Sequence, residues 1–336
     1  MRLAHQPEDF VVDEVPLYEP SGEGAHTFVR VEKRMRTTEE VARMLARVAG
    51  VPPRDVGNAG RKGRVAVTRQ WLSVPGLDPA HACELAEEGV RVLEARRHPH
   101  KLRTGQLRAN RFALVVRELA PAALEGAEER LAVLVRGGMP NRFGAQRFGR
   151  GGRNADAGRA LLEGRPVGRD RRAARPVGRD RRAARFLLSA LQAEVWNACL
   201  DARPLPLDAV EEGEVAFVHA SGASFVVEDA AREGPRAASF EISAAGPLFG
   251  TRLLEALGEP GAREEAVLRT HGVAPGWRPP PGIRLRGARR PYRVRPEQAT
   301  CEPAGSDAMR LRFTLPPGSY ASELARALFA GPSGRP

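Results

Sequence analysis

Along the chain, apolar and polar positions alternate in short runs near both ends and recur at helical spacing between them. Residues 10 to 31 hold two such runs, "FVVDEV" and "HTFVRV", separated by "PSGEGA", whose Pro and Gly residues signal a turn. A helix follows: in "TTEEVARMLARVAG", Thr37 and Glu40 fit a capping box, Val41, Met44, Leu45 and Val48 share one face, and Gly50 supplies the stop. "RVAVT" and "RFALVVREL" read as strands, the second with Phe112, Leu114 and Val116 on one side. Near the other end "MRLRFTL" sets Met309, Leu311, Phe313 and Leu315 against Arg310, Arg312 and Thr314, the pattern of a half-buried strand in a mostly antiparallel sheet.

The middle differs. Residues 149 to 185 are dominated by Gly, Arg and Ala, and "RPVGRDRRAA" occurs twice in tandem, at 165–174 and 175–184. From Arg165 to Arg185 nine arginines face two aspartates. Such a run reads either as a solvated basic face or as a patch for RNA phosphates. Two copies of ten residues are too few and too short for a solenoid. In "FLLSALQAEVWNACL", Leu188, Leu191, Val195 and Cys199 recur at helical spacing and predict a core stripe. Residues 258 to 305 are broken by Pro and Gly, including "PGWRPPPG", and loops are expected there.

Charge adds a partner class. Among 336 residues the formal net charge is +12, and 50 of the 53 basic residues are arginine, lysine standing only at Lys33, Lys62 and Lys101. This balance suggests an anionic partner, with nucleic acid the usual one, although arginine, Ala, Gly and Pro together also fit a GC-rich genome. Cys83, Cys199 and Cys301 are far apart, which argues against a disulfide framework or a zinc site and for a reducing, cytoplasmic setting. No apolar leader or membrane-length run is read. "RFGRGG" lacks the G-K-[ST] of a phosphate-binding loop and reads as a hinge, and neither His26 nor His100 reaches metal-ligand spacing with another histidine.

Five stretches in order carry something more specific: "PEDFVVDE" with "GEGAHTFVRVEK", "AGRKGRVAVTRQW", "HKLRTGQLRANRF", "GMPNRFGAQRFG" and "LPPGSYASELARALF". Together they resemble the tRNA pseudouridine synthase D (TruD) family over nearly the whole length. The resemblance implies an α+β fold, with a pseudouridine-synthase-like catalytic domain of mainly antiparallel mixed sheet (1–151 and 304–336) and an inserted TRUD domain (152–303). It implies isomerisation of a uridine, at position 13 of the tRNA numbering, to pseudouridine. The implied partner is tRNA, bound by a monomer, with no membrane and no metal or other cofactor.

That chemistry needs an unstacked uridine, a carboxylate as nucleophile or general base, an aromatic face for the base and cations for the phosphates. The family pattern A-G-x-K-D-x-x-A-V-T-x-Q is met by Ala59, Gly60, Lys62, Ala66, Val67, Thr68 and Gln70, but Gly63 stands at the aspartate position. Ala4 stands where relatives carry a lysine, and Ala109 replaces a family glycine. The resemblance assigns substrate-binding positions to Phe10, Lys62, Asn110, Phe112, Asn141, Gln146, Arg147 and Tyr320. Packing roles stand beside these for Phe10, Phe112, Phe143, Phe148 and Tyr320. Three readings stay open: a working synthase drawing its carboxylate from Asp55, Asp9, Glu8 or Asp13; an inactive homologue that binds tRNA or aids RNA folding; and an isolated substitution in an ordinary synthase.

Overall fold

The computed structural model describes residues 1–3, 6–165, 167 and 180–330. The chain divides into two compact units, Met1–Val135 with Pro296–Pro336, and Arg136–Arg295. The second unit closes on itself where Met139–Pro140 pairs antiparallel with Arg293–Val294. The segment "GMPNRFGAQRFG" therefore folds with the second unit, on the far side of the expected boundary at 151.

The first unit is built on one large sheet with the strand order Glu297–Gly305, Ala308–Leu315, Leu107–Arg117, Phe10–Pro16, Val67–Pro75, His26–Arg34, Val90–His98, Ala86–Glu87. Arg2–Leu3 adds to Leu107–Arg117, and Gly57–Asn58 to Val67–Pro75. Every pairing is antiparallel except that of Phe10–Pro16 with Val67–Pro75. The alternation read at 309–315 is realised: Met309, Leu311, Phe313 and Leu315 are buried. Thr38–Val48 is helical, with the Thr37–Glu40 capping box formed in both directions and Gly50 left-handed (φ 65°) just beyond. Its Val41, Met44 and Leu45 pack on Val29, Val31, Leu72 and Val74 of the sheet.

Strand register aligns residues from separate motifs. Lys33, Thr68, Val12, Phe112 and Phe313 are successive partners across five strands. Two residues along on the same face, Val31 partners Gln70, Glu14 partners Asn110, and Asn110 partners Leu315. One face of the sheet thus gathers polar side chains that are far apart in sequence.

In the second unit a four-stranded antiparallel sheet, ordered Ser224–Val226, Val215–Val218, Ile242–Leu248, Ala288–Pro291, packs against the helix Arg181–Ala202. The stripe Leu188, Leu191, Val195, Cys199 is buried there, with Trp196. The expectation of loops throughout 258–305 is corrected. Gly258–Thr270 is a helix, and Ala288–Pro291, Arg293–Val294 and Glu297–Gly305 are strands. Pro260 lies in the first helical turn, where a missing N–H breaks no intrahelical bond, and Pro303 lies on the strand at the edge of the large sheet. The longest stretch there without a helix or named strand is 271–287, with "PGWRPPPG", where Arg286 makes an isolated bridge to Thr251. Of the tandem repeat, residues 166 and 168–179 lie outside the described residues, and its end enters the long helix, which Asp180 caps. Ala4 also lies outside them.

Candidate active site

The stretch between Gly57–Asn58 and Val67–Pro75 forms a loop at the polar face of the large sheet. Gly63 is exposed on it, and a Cβ built there meets nothing within 4 Å. Its φ is outside the left-handed region, so the backbone would take an L side chain without strain. Beneath it lies Lys33, 1% exposed, whose ammonium donates to the carbonyl oxygens of Gly63 and Arg36, both at 2.7 Å. Burial, reinforced by the neighbouring Lys62 charge, pushes the Lys33 pKa down to about 8.

Lys62 turns inward from the same loop. Its backbone N–H donates to Thr38 Oγ1 at 2.9 Å, and that hydroxyl donates to Gln70 Oε1 at 2.9 Å, which ties loop, helix start and sheet together. The Lys62 ammonium donates to Asn110 Oδ1 at 2.6 Å and sits 2.8 Å from Glu14 Oε2, an ion pair out of line for a hydrogen bond. The other Glu14 oxygen accepts from the Trp71 backbone at 3.2 Å. With its carbonyl oxygen engaged by Lys62, Asn110 is held in one orientation, its amide nitrogen left as donor. Among the described residues, Gln70 Nε2 and Thr68 Oγ1 are buried here without a hydrogen-bond partner.

Beside Asn110 on the same face, Phe112 is half-buried. Its ring stacks on Phe313 at 5.4 Å between centroids and meets Phe10 edge-on at 6.3 Å. Phe112 is therefore part of a packed aromatic group and also partly open to solvent. Tyr320, half-buried, follows the turn after Leu315 and starts the helix Ala321–Phe329. Ala109 pairs with Val15 beside a register shift and has no positive φ, so the backbone there takes an L side chain and accommodates the methyl group.

Asn141, Gln146 and Arg147 belong to the second unit, and Phe10, Lys62, Gly63, Asn110, Phe112 and Tyr320 to the first. Asn141 is buried and bonded within its own unit: Nδ2 donates to Pro291 O at 3.1 Å, and Arg290 Nη2 donates to Oδ1 at 2.6 Å. Arg290 also lies over Phe143, which meets Trp196 edge-on, so Phe143 packs. Gln146 is exposed in the short turn Ala145–Arg147, and Arg147 donates to Ser189 Oγ at 2.6 Å.

A family model described as tRNA pseudouridine synthase D (TruD) matches residues 1–168 and 177–328. The chain belongs to the TruD family. It is 47% identical to the tRNA pseudouridine synthase D of Anaeromyxobacter dehalogenans over 97% of its own length and 92% of that protein's. Against the Thermus thermophilus protein of that name it is 43% identical, covering 96% of this chain and 86% of the relative. A crystal structure from Methanosarcina mazei carrying the TruD name superimposes with a TM-score of 0.73 at 23% identity, over 98% of this chain and 93% of that one, a likeness in fold.

Within this TruD chain, three of the four carboxylates considered as substitutes for the aspartate are engaged. Glu8 pairs with Arg34 at 2.6 Å, Asp9 is held bidentate by Arg117 at 2.8 and 3.0 Å, and Asp13 pairs with Arg30 at 3.0 Å. Asp13 is also on the opposite sheet face from Phe112, since Val12 is the partner of that phenylalanine. Asp55 lies in the turn Pro53–Asp55, ahead of the loop. Sequence reasoning missed Lys33 and Glu14. The signal was present: each occupies an inward position of an alternating strand, where a charge demands a buried partner.

Proposed function

We propose that the chain binds tRNA and receives an unstacked uridine, the one at position 13, in a pseudouridine synthase site whose isomerisation step is disabled by Gly63. The single observation that carries this is local: position 63 is open and without a side chain beside an intact Lys62–Asn110–Glu14 group and the Phe112 ring. A uridine in a helix hides the glycosidic bond, so the base must leave the stack before C5 can reach the sugar. Phe112 offers an aromatic face, and Asn110, oriented by Lys62, offers an amide donor for the base edge. Breaking the N1–C1′ bond and forming C5–C1′ then calls for a carboxylate as nucleophile or base, and glycine supplies none. Arg117, Arg34 and Arg30 occupy the carboxylates of Asp9, Glu8 and Asp13, which supports loss of the step over its transfer.

Binding outlives this loss because it rests on phosphate charge and stacking, and the net charge of +12 favours a polyanion. The three cysteines are free, in keeping with a reducing cytoplasm. Equilibrium binding of unmodified tRNA, at two salt concentrations, tests the reading against Phe112→Leu. The chain as it stands is expected to bind, and the variant to bind about fivefold or more weakly from lost stacking. Equal affinities, with both proteins folded by melting, would remove Phe112 from the base site.

A further inference from the structure

On the first unit, away from Gly63, lies an open cavity of about 480 Å³ lined by Tyr18, His98, His100, Lys101, Arg103 and Gln106. It is on the other side of the sheet. Gln70 and Trp71 are adjacent in one strand and so face opposite ways; Gln70 belongs to the Lys62 group, while Trp71 packs with Phe28, Leu102, Leu107 and Tyr18 under this cavity. The floor is aromatic and anchored: Tyr18 stacks on His98 at 5.2 Å and 23°, and His98 lies 4.5 Å from the buried Phe28 ring. Among the described residues, no carboxylate lines the cavity.

We propose that this cleft is a second RNA subsite, which takes one unpaired nucleotide of the bound tRNA, with the base on the Tyr18–His98 stack and its phosphates at Lys101 and Arg103. The proposal rests on the tRNA-binding reading above. Burial and the His100 charge lower the His98 pKa, so near pH 7 this ring is neutral and stacks as an aromatic, while the positive charge stays at the rim. Gln106 Oε1 accepts from Arg103 N at 2.6 Å and from Tyr18 OH at 3.3 Å, which fixes the amide and leaves Nε2 as donor for a base edge. The volume falls in the range of small-molecule sites, and an aromatic floor with a cationic rim and no acid matches a base joined to phosphate.

The cleft is also tied to the loop of Gly63. Gly105 N donates to Ala59 O at 2.7 Å, so the cleft loop and the loop that starts at Ala59 share a backbone hydrogen bond. Gln106 directly precedes the strand Leu107–Arg117 that carries Asn110, so the cleft and the Lys62–Asn110 group lie near one end of the same strand, on its two faces.

The test is tRNA binding by the full chain, by Tyr18→Leu, by Tyr18→Phe and by Arg103→Gln, each over a salt series with Phe112→Leu in parallel. Tyr18→Leu is expected to weaken binding about fivefold to a hundredfold, and Tyr18→Phe, which keeps the stack, to stay within about twofold. Arg103 is exposed, and Arg103→Gln is expected to make the salt slope shallower by about one unit, because one phosphate is no longer neutralised. Parent affinity and slope in both Tyr18→Leu and Arg103→Gln, with Phe112→Leu weakened, would overturn the subsite and leave the tRNA reading standing. Failure of the parent itself to bind tRNA would end both. Should Tyr18→Leu unfold, the slope of Arg103→Gln decides alone.

Discussion

Aspartate at position 63 meets no steric obstacle, so Gly63→Asp isolates chemistry from folding. The added Cβ has open space, the φ suits an L residue, and the site is exposed, which keeps the stability change within about 1 kcal/mol in either direction. Lys33 and Lys62 lie close by as cations and favour the ionised carboxylate. A positioned carboxylate acting as general base contributes about 10² to 10⁴ in rate, so pseudouridine formation should rise by at least about a hundredfold. One more negative charge opposes a nearby phosphate by about 1 kcal/mol at 4 Å in water, which weakens tRNA binding by no more than about fivefold. The assay is single-turnover release of tritium from tRNA labelled at uridine C5, because that hydrogen leaves when C5 joins C1′. A rate unchanged from the parent in a variant that still binds tRNA would refute the assignment of the missing group to position 63.

Two further predictions concern the groups under the loop. Lys62→Met leaves Glu14 buried without its cation, and unfolding in urea should show a loss of about 3–5 kcal/mol, reduced when Glu14→Gln is added. Lys33 has a pKa of about 8 in the fold against an ordinary 10.5, so between these pH values the unfolded chain binds more protons. Its contribution therefore disfavours folding below about pH 8 and is relieved as pH rises toward 10.5, by about 3 kcal/mol in all. Stability measured across that window should rise with pH in the parent and rise less in Lys33→Met; identical slopes would contradict a buried ammonium that, among the described residues, has no carboxylate partner.

Much of the first unit was legible because its strands obey period two and its helix carries its own cap. The run at 309–315 and the Thr37–Glu40 box needed no tertiary information. The 258–305 segment misled because proline was read as a breaker without regard to position; Pro260 and Pro303 sit where the missing N–H is harmless. The candidate site was legible as motifs and not as a network. That Lys62 orients Asn110, or that Lys33 supports the Gly63 carbonyl, depends on strand register between distant segments, which no local pattern specifies. Asn141 shows the converse: a motif residue assigned to substrate has its side chain bonded to Pro291 and Arg290.

Binding without turnover is tested by the amount of pseudouridine that the unaltered chain forms in unmodified tRNA, with tRNA affinity measured in the same buffer at stated salt. Saturable, salt-sensitive binding is expected, with no pseudouridine above the protein-free control. Stoichiometric pseudouridine from the unaltered chain would contradict the loss of the step at Gly63, and would mean that a carboxylate elsewhere in the chain performs it.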